Sequence, residues 1–300
     1  MSSPPAKRKR TETTSITRSE IWYKDGSVVL QAENTQFRVA LPQPPNQPTV
    51  DGCSIVELQD SAEDVEYLLK AVYDPQFLGQ PALTLAAVGA LIRLGRKYDF
   101  QTIFESAMAR ITSENPTTLE AYDALIGDDG IYKPTRIADC GGFRFELLTL
   151  VRENNILSAL PVAYYRASHH RLKTLLDVSQ KGTPLFLAPL DLGRCLIGRE
   201  RLMCKQFQPN YSLGFLLEAQ HPGCRSPAQC DGSRKSVFVS WTDMHVAEPF
   251  SFSDHHSTWP PCATCCKHAL EANTAGRKKS WEELPAIFDL PSWDQLKNDV

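Results

Sequence analysis

Two pairs of cysteines in the C-terminal half have a spacing that is typical of metal sites. Cys262 and Cys265 are separated by two residues, and Cys224 and Cys230 by five. A structural zinc site needs four sulfur or nitrogen ligands around one ion, and a short spacing lets one turn of chain supply two of them. With all four positions filled by protein, no position is left for a reacting water. The pattern therefore predicts one structural zinc ion, rather than a catalytic one.

Other ligands and a metal-free interpretation remain open at this point. Cys266 and His268 follow directly and are the alternate ligands. Five residues between Cys224 and Cys230 exceed the usual two to four, and a free cysteine is readily buried as a small apolar side chain. The nine cysteines are expected to be reduced, because the polar, basic first residues do not resemble a secretory signal.

The elements that must position these cysteines are predicted to be helices joined by polar loops. Turn residues at His221-Pro222-Gly223 and Trp259-Pro260-Pro261 precede the two pairs. Upstream, apolar residues recur at helical spacing on two faces: Phe143, Leu147, Leu150 and Val151, then Leu192, Cys195, Leu196, Leu202 and Met203. We interpret His169-His170 and the basic residues at Arg225, Arg234-Lys235 and Arg277-Lys278-Lys279 as solvated surface.

The N-terminal half reads as strands followed by helices. Runs of β-branched and aromatic residues at 21–23, 27–32 and 35–39, separated by turn residues, predict a β-hairpin, and residues 55–58 predict a further strand. Four prolines between Leu41 and Pro48 exclude helix and central strand there. Three amphipathic helices should follow, with these apolar faces: Val65, Leu68, Leu69 and Val72; Ala87, Leu91, Leu94 and Tyr98; Ile103, Phe104, Ala107, Met108 and Ile111.

Composition and motifs narrow the function classes. The apolar fraction of 42% with 22% charged residues is that of a globular protein, and no apolar run reaches the ~18 residues of a membrane span. A net charge of −3 gives no general attraction to nucleic acid. The sequence has no Gly-x-Ser-x-Gly elbow, Walker-type loop, dinucleotide fingerprint or His-Glu-x-x-His motif. We therefore expect a protein that is not an enzyme.

A basic run lies near the N-terminus. Residues 1–18 are rich in Ser, Thr, Pro, Lys and Arg and are expected to form a disordered tail. Within it, Lys7, Arg8, Lys9 and Arg10 resemble a short nuclear-import signal, and a solvated tail is the alternative. The expected location is the nucleus, the cytoplasm or both.

The N-terminal residues resemble BTB/POZ domains of mushroom-forming fungi. Residues 20–32 with Phe37-Arg38-Val39 are similar to the opening hairpin of that family. Val56-Glu57-Leu58 and residues 64–71 resemble its third strand and following helix, and residues 91–98 the helix after that. A closing segment resembles the C-terminal extension of these proteins through Gly276-Arg277, Trp281, Leu284-Pro285 and Leu290-Pro291-Ser292-Trp293.

One family element is missing from the sequence. The resemblance implies a helix after the Phe-Arg-Val run, which packs in the domain and helps to form its dimer, but here Val39 leads directly into Ala40-Leu41-Pro42. Loss of that helix should expose the apolar surface that it covers and weaken dimerisation. The expected fold is therefore α+β: a BTB/POZ-like domain over 19–122 with one core helix absent, then a mainly helical extension over 123–300.

The resemblance implies a protein-protein interaction module, an adaptor or a transcription-related regulator. Its partners would be a second copy or other proteins, such as cullin-type ligase scaffolds or transcription regulators. The alternative function is a zinc-stabilised nuclear regulator that contacts DNA or chromatin, which the basic run and the cysteine pairs suggest. A membrane partner is not expected.

Overall fold

The computed structural model describes residues 15–43, 46–127, 130–138, 143–169, 172–176, 187–244, 247–250, 260 and 262–298. It is an α+β protein with an N-terminal sheet and C-terminal helices, which confirms the fold class predicted at that level. Two compact units are formed: unit 1 comprises Met1–Gln80 and Ala90–Phe104, and unit 2 comprises Pro81–Gly89 and Glu105–Val300. The units interleave in sequence, whereas the expected BTB/POZ-like domain and its extension would meet at one boundary between residues 122 and 123.

Unit 1 contains a five-stranded sheet in the order β1-β3-β2-β5-β4. The strands are β1 (Thr17–Trp22), β2 (Val28–Ala32), β3 (Thr35–Val39), β4 (Thr49–Val50) and β5 (Cys53–Leu58). The predicted hairpin is confirmed as the antiparallel pair β2–β3, and β5 lies parallel to β2 on the other side. The first strand pairs with β3 in parallel and begins at Thr17, so the last two residues of the predicted tail belong to the sheet.

The centre of this sheet is buried on both faces. Successive side chains of a strand point to opposite faces, yet Val28, Val29 and Leu30 are all buried, as is Phe37 on the neighbouring strand. The described part of the segment from Ala40 to β4 contains no helix, in agreement with its prolines. The expected exposure of apolar surface is therefore not found on these two central strands.

Three helices follow the sheet: α1 (Ala62–Tyr73), α2 (Leu85–Lys97) and α3 (Gln101–Glu114). Ser61 caps α1 by accepting a hydrogen bond from the backbone N–H of Asp64, as the sequence predicts. The predicted faces are buried except at their ends, where Val72 is exposed and Tyr98 lies exposed beyond the end of α2. Both α2 and α3 contribute residues to both units.

Unit 2 is mainly helical. It contains a parallel pair of two-residue strands, β6 (Leu83–Thr84) and β7 (Ile137–Ala138), with short 3-10 turns at Leu157–Ala159 and Gly214–Leu216. Its remaining helices are α4 (Leu119–Asp123), α5 (Phe143–Glu153), α6 (Leu160–Ser168), α7 (Leu172–Leu176), α8 (Pro189–Lys205), α9 (Pro227–Met244), α10 (Ala263–Glu282) and α11 (Leu284–Ile287).

The core of unit 2 is built around α6. Every residue of α6 is buried, and the helix packs against α5, α8 and α11. Leu147, Val151, Cys195 and Leu202 are buried in α5 and α8, as the helical spacing predicts. Among the helices that the structure describes, none combines the length and the apolar character needed to cross a bilayer.

Candidate metal centre

The four predicted cysteines come together in unit 2, where α9 and α10 begin. Cys224 lies in a turn, and its backbone N–H donates a hydrogen bond to the His221 carbonyl at 2.9 Å. Cys230 lies in the first turn of α9. Cys262 is the residue that caps α10, and Cys265 lies in the first turn of that helix. Each pair thus places one sulfur before a helix and one inside its first turn.

The sulfur atoms are close enough to share one ion. All four Sγ atoms lie within 4.8 Å of one another, and those of Cys224 and Cys262 are 3.9 Å apart. A tetrahedral zinc ion with Zn–S bonds of about 2.3 Å would hold its sulfurs about 3.8 Å apart. Cys230, Cys262 and Cys265 are buried, and Cys224 is half-buried. The four cysteines therefore form a cluster that could hold a metal ion.

Electrostatic conditions differ among these thiols. The backbone N–H groups of Arg225 and Cys265 donate to Sγ of Cys262 and lower the pKa of its thiol to about 6. Burial raises the pKa of the Cys265 and Cys230 thiols. A bound cation would change this balance, because a coordinated thiol is deprotonated outright. The positive ends of α9 and α10 also face the cluster and favour thiolate.

The alternate ligands lie outside the cluster of cysteines. Cys266 is half-buried, and its backbone N–H donates to the Cys262 carbonyl at 2.9 Å. The Nε2 atom of His268 is 3.7 Å from Glu218 Oε2, and its ring is 5.2 Å from that of His221. Among the described residues, the group that could hold a metal ion comprises only Cys224, Cys230, Cys262 and Cys265.

A small apolar cluster joins the same two helices beside the cysteines. Leu213, Phe215, Leu216 and Ala269 are its buried members, and Phe238 of α9 packs against them. The aromatic rings of Phe207 and Phe238 meet edge to face with their centroids 5.2 Å apart. An ion bound by the cysteines would therefore hold the ends of two helices that are in contact with a shared core.

The basic and histidine residues interpreted as a tail or as solvated surface have different outcomes. Lys7, Arg8, Lys9 and Arg10 lie outside the described residues, as does His170. His169 is not solvated as expected: it is half-buried, with Nε2 3.1 Å from Glu248 Oε1. Arg277, assigned to a solvated basic face, is 2% exposed and forms an ion pair with Asp123.

Sequence reasoning missed a second group of polar residues in unit 2. Arg144, Arg166, Arg277 and His169 line a cavity of about 470 Å³ together with several aromatic side chains. The buried face of α10 contains Arg277 between Asn273 and Ser280 and is therefore not visible as apolar periodicity. Cys265, Ala269 and Trp281 lie on the same face, at spacings of four residues or a multiple of four, and are the signal in the sequence that marks it as buried.

No protein-family model, curated protein or solved structure matches this chain.

Proposed function

We propose that the chain is a non-enzymatic protein-interaction module of the BTB/POZ type, with a helical extension that one structural zinc ion stabilises. The observation that carries the first part is the strand arrangement of unit 1. β5 lies parallel to β2 of the hairpin and is followed by α1. A hairpin, a third strand beside it and then a helix is the order that the resemblance implies.

Contacts between the resembling segments support this proposal. Arg93 and Asp64, which lie in two of these segments, form an ion pair with an Nη2–Oδ1 distance of 2.7 Å. At Gly95 an added Cβ would lie 3.1 Å from the Phe104 backbone nitrogen, so this position favours glycine where the chain segments approach. The characteristic residues of 91–98 thus have packing roles that join consecutive parts of unit 1.

The closing segment has comparable packing roles in unit 2. An added Cβ at Gly276 would lie 2.2 Å from the Tyr211 carbonyl carbon. Trp281 donates its indole N–H to the Thr117 carbonyl at 3.0 Å and stacks on Trp293 with ring centroids 5.7 Å apart. The residues that resemble the family's C-terminal extension therefore have specific packing contacts in unit 2, which supports the proposal.

We propose that protein partners bind at a patch formed by Tyr23, Leu41 and Tyr73. Tyr23 and Tyr73 are in ring contact at 5.3 Å, and the Tyr73 hydroxyl donates to the Ala40 carbonyl at 3.0 Å. Tyr23 is 39% exposed and Leu41 42% exposed. The patch lies where the family helix would begin, so it offers apolar and aromatic surface to a partner. Because that helix helps to form the family's dimer, we propose a monomer or a weak dimer.

Co-purification of the tagged full-length chain from its own cells tests the interaction proposal. Partners in stoichiometric amounts should be identified by mass, with cullin-type scaffolds and transcription regulators as the expected classes. Leu41→Asp should release them, whereas Leu190→Asp, which changes an exposed leucine in unit 2, should not. A stoichiometric partner that survives Leu41→Asp would contradict the patch, and the absence of any partner after cross-linking would contradict the interaction function.

We propose zinc as the ion because the candidate site has four sulfur ligands in short loop-to-helix segments. Four thiolates around one position are the donor set of structural zinc sites, in which the ion contributes folding energy. Purification without chelator should give about one zinc per chain by elemental analysis. Purified chain without metal, in a preparation whose cysteines are still reduced, would contradict this proposal.

The alternative function, a zinc-stabilised nuclear regulator, uses the same four cysteines. It has less support, because two of the arginines that could contact DNA are paired with carboxylates. Arg277 is buried and paired with Asp123, and Arg234 pairs with Asp231 at 3.3 Å. Binding to DNA would depend steeply on salt, because each phosphate contact releases counterions. DNA affinity that falls sharply between low and physiological salt would favour this alternative over the interaction module.

A further inference from the structure

Unit 2 contains a cavity that neither the interaction function nor the zinc site uses. Its volume of about 470 Å³ lies within the range of small-molecule sites, which is about 300–1,000 Å³. Arginine and aromatic side chains share the lining. We propose that this cavity binds a small organic anion, in which a carboxylate or phosphate is attached to a flat apolar body.

The charges of the lining favour an anion. Within the described residues of the lining, Arg144, Arg166 and Arg277 contribute three positive charges, and Asp123 and Glu248 contribute two negative ones. Asp123 is paired with Arg277, and Glu248 faces His169 with 3.1 Å between Oε1 and Nε2. Among the described residues no carboxylate pairs with Arg144, which is half-buried in α5. Arg144 therefore supplies a positive charge that an incoming oxyanion can neutralise.

Two of the arginines are held in place before any ligand binds. Arg166 is 5% exposed, lies over the Tyr132 ring at 3.5 Å and donates to the Glu114 carbonyl at 3.3 Å. Arg277 donates from Nε to the Phe250 carbonyl at 3.1 Å. Burial lowers the pKa of Arg166. Fixed cations in a partly dry cavity interact more strongly with an anion than mobile cations in water, because little ordering remains to be done on binding.

An aromatic wall would accommodate the apolar body of the ligand. Tyr122, Tyr165 and Phe250 contact one another edge to face, with ring centroids 4.8 to 6.1 Å apart. Both phenols are neutral at pH 7, and burial raises the pKa of Tyr122 to about 12 and that of Tyr165 well above its ordinary value. A neutral aromatic wall next to fixed guanidinium groups suits an aromatic carboxylate or an aryl phosphate.

Binding of four small probes to the full-length chain tests the proposal. Benzoate and phenyl phosphate supply the two oxyanions on one ring, phenol lacks the charge, and benzylammonium reverses it. The cationic probe is needed because Asp128 and Asp129, between Gly127 and Gly130 of the lining, lie outside the described residues. Ligand-observed NMR should detect at least one of the two anions with Kd on the order of 1 mM or below, and phenol and benzylammonium at least about tenfold more weakly.

A pair of charge variants locates the binding. Arg144→Gln should weaken binding of the anion at least about tenfold, because it removes a charge-assisted hydrogen bond. Lys278→Gln removes the same charge from an exposed position next to Arg277 and should leave binding unchanged. Tm measurements on both variants report whether they remain folded. The proposal is overturned if neither anion binds, if phenol or benzylammonium binds as well as the anions, or if folded Arg144→Gln binds like the wild type.

Discussion

Replacement of Cys230 by serine tests the proposed zinc site most directly. Cys230 is 1% exposed in the first turn of α9, and serine nearly preserves its size while removing a sulfur ligand. Three cysteines of the cluster would remain for an ion that requires four ligands. We expect the variant to lose its zinc and part of the stability of unit 2.

The size of this loss follows from linkage between binding and folding. An ion present at about 1,000 times its Kd, bound only by the folded state, stabilises that state by about 4.1 kcal/mol. For a unit of this size, ~1 kcal/mol corresponds to a Tm shift of roughly 2–4 °C. The Tm of Cys230→Ser, or of the wild type after chelation, should therefore lie about 8–16 °C below that of the zinc-loaded protein.

Cys204→Ser is the matched control, since Cys204 is exposed and outside the cluster. It should retain one zinc and unfold within about 2 °C of the wild type. Elemental analysis and calorimetry on the three proteins complete the test. Retention of zinc by Cys230→Ser, or an unchanged Tm after chelation of the wild type, would refute the reasoning from the sulfur geometry.

Three further predictions concern packing, pH and assembly. Gly276→Ala should destabilise unit 2 by about 1–3 kcal/mol, because the new Cβ meets the Tyr211 backbone. Gly193→Ala should stabilise it by about 0.5–1 kcal/mol, because the new Cβ enters open space on a helix. Urea unfolding of both variants measures the two effects. Burial alone would raise the pKa of Asp60, but hydrogen bonds from Lys97 and a tyrosine hydroxyl outweigh it and lower that pKa. The resulting stability is present above the unfolded value near 3.8 and is lost as pH falls through the lower folded value, so Asp60→Asn should flatten acid unfolding below about pH 4. Light scattering at micromolar concentrations should find a monomer or a weak dimer, and a tight dimer would contradict the role given to the missing helix.

Local patterns in the sequence predict the elements better than their arrangement. The faces of α1 and α3 follow from apolar periodicity, and the start of α1 from Ser61. The position of β1 beside β3 could not be predicted, because pairing of distant strands depends on contacts that no local pattern encodes. Buried polar residues were missed for the same reason: Arg277 is compensated by Asp123, which is 154 residues away in sequence.

The four cysteines were predictable as a set because the spacing within each pair is local. The distance between the two cysteine pairs could not be predicted, because it depends on how α9 and α10 pack. That packing also explains why an ion would be useful at this place. The buried residues of α10 include Asn273, Gly276 and Ser280, which bury little apolar area. The C-terminal end of α10 is fixed by the Trp281 hydrogen bond to Thr117, whereas its first two turns are held by the cysteines and by Ala269. A cation shared by four sulfurs would add stability at the N-terminal end of α10, next to the small apolar cluster that contains Ala269.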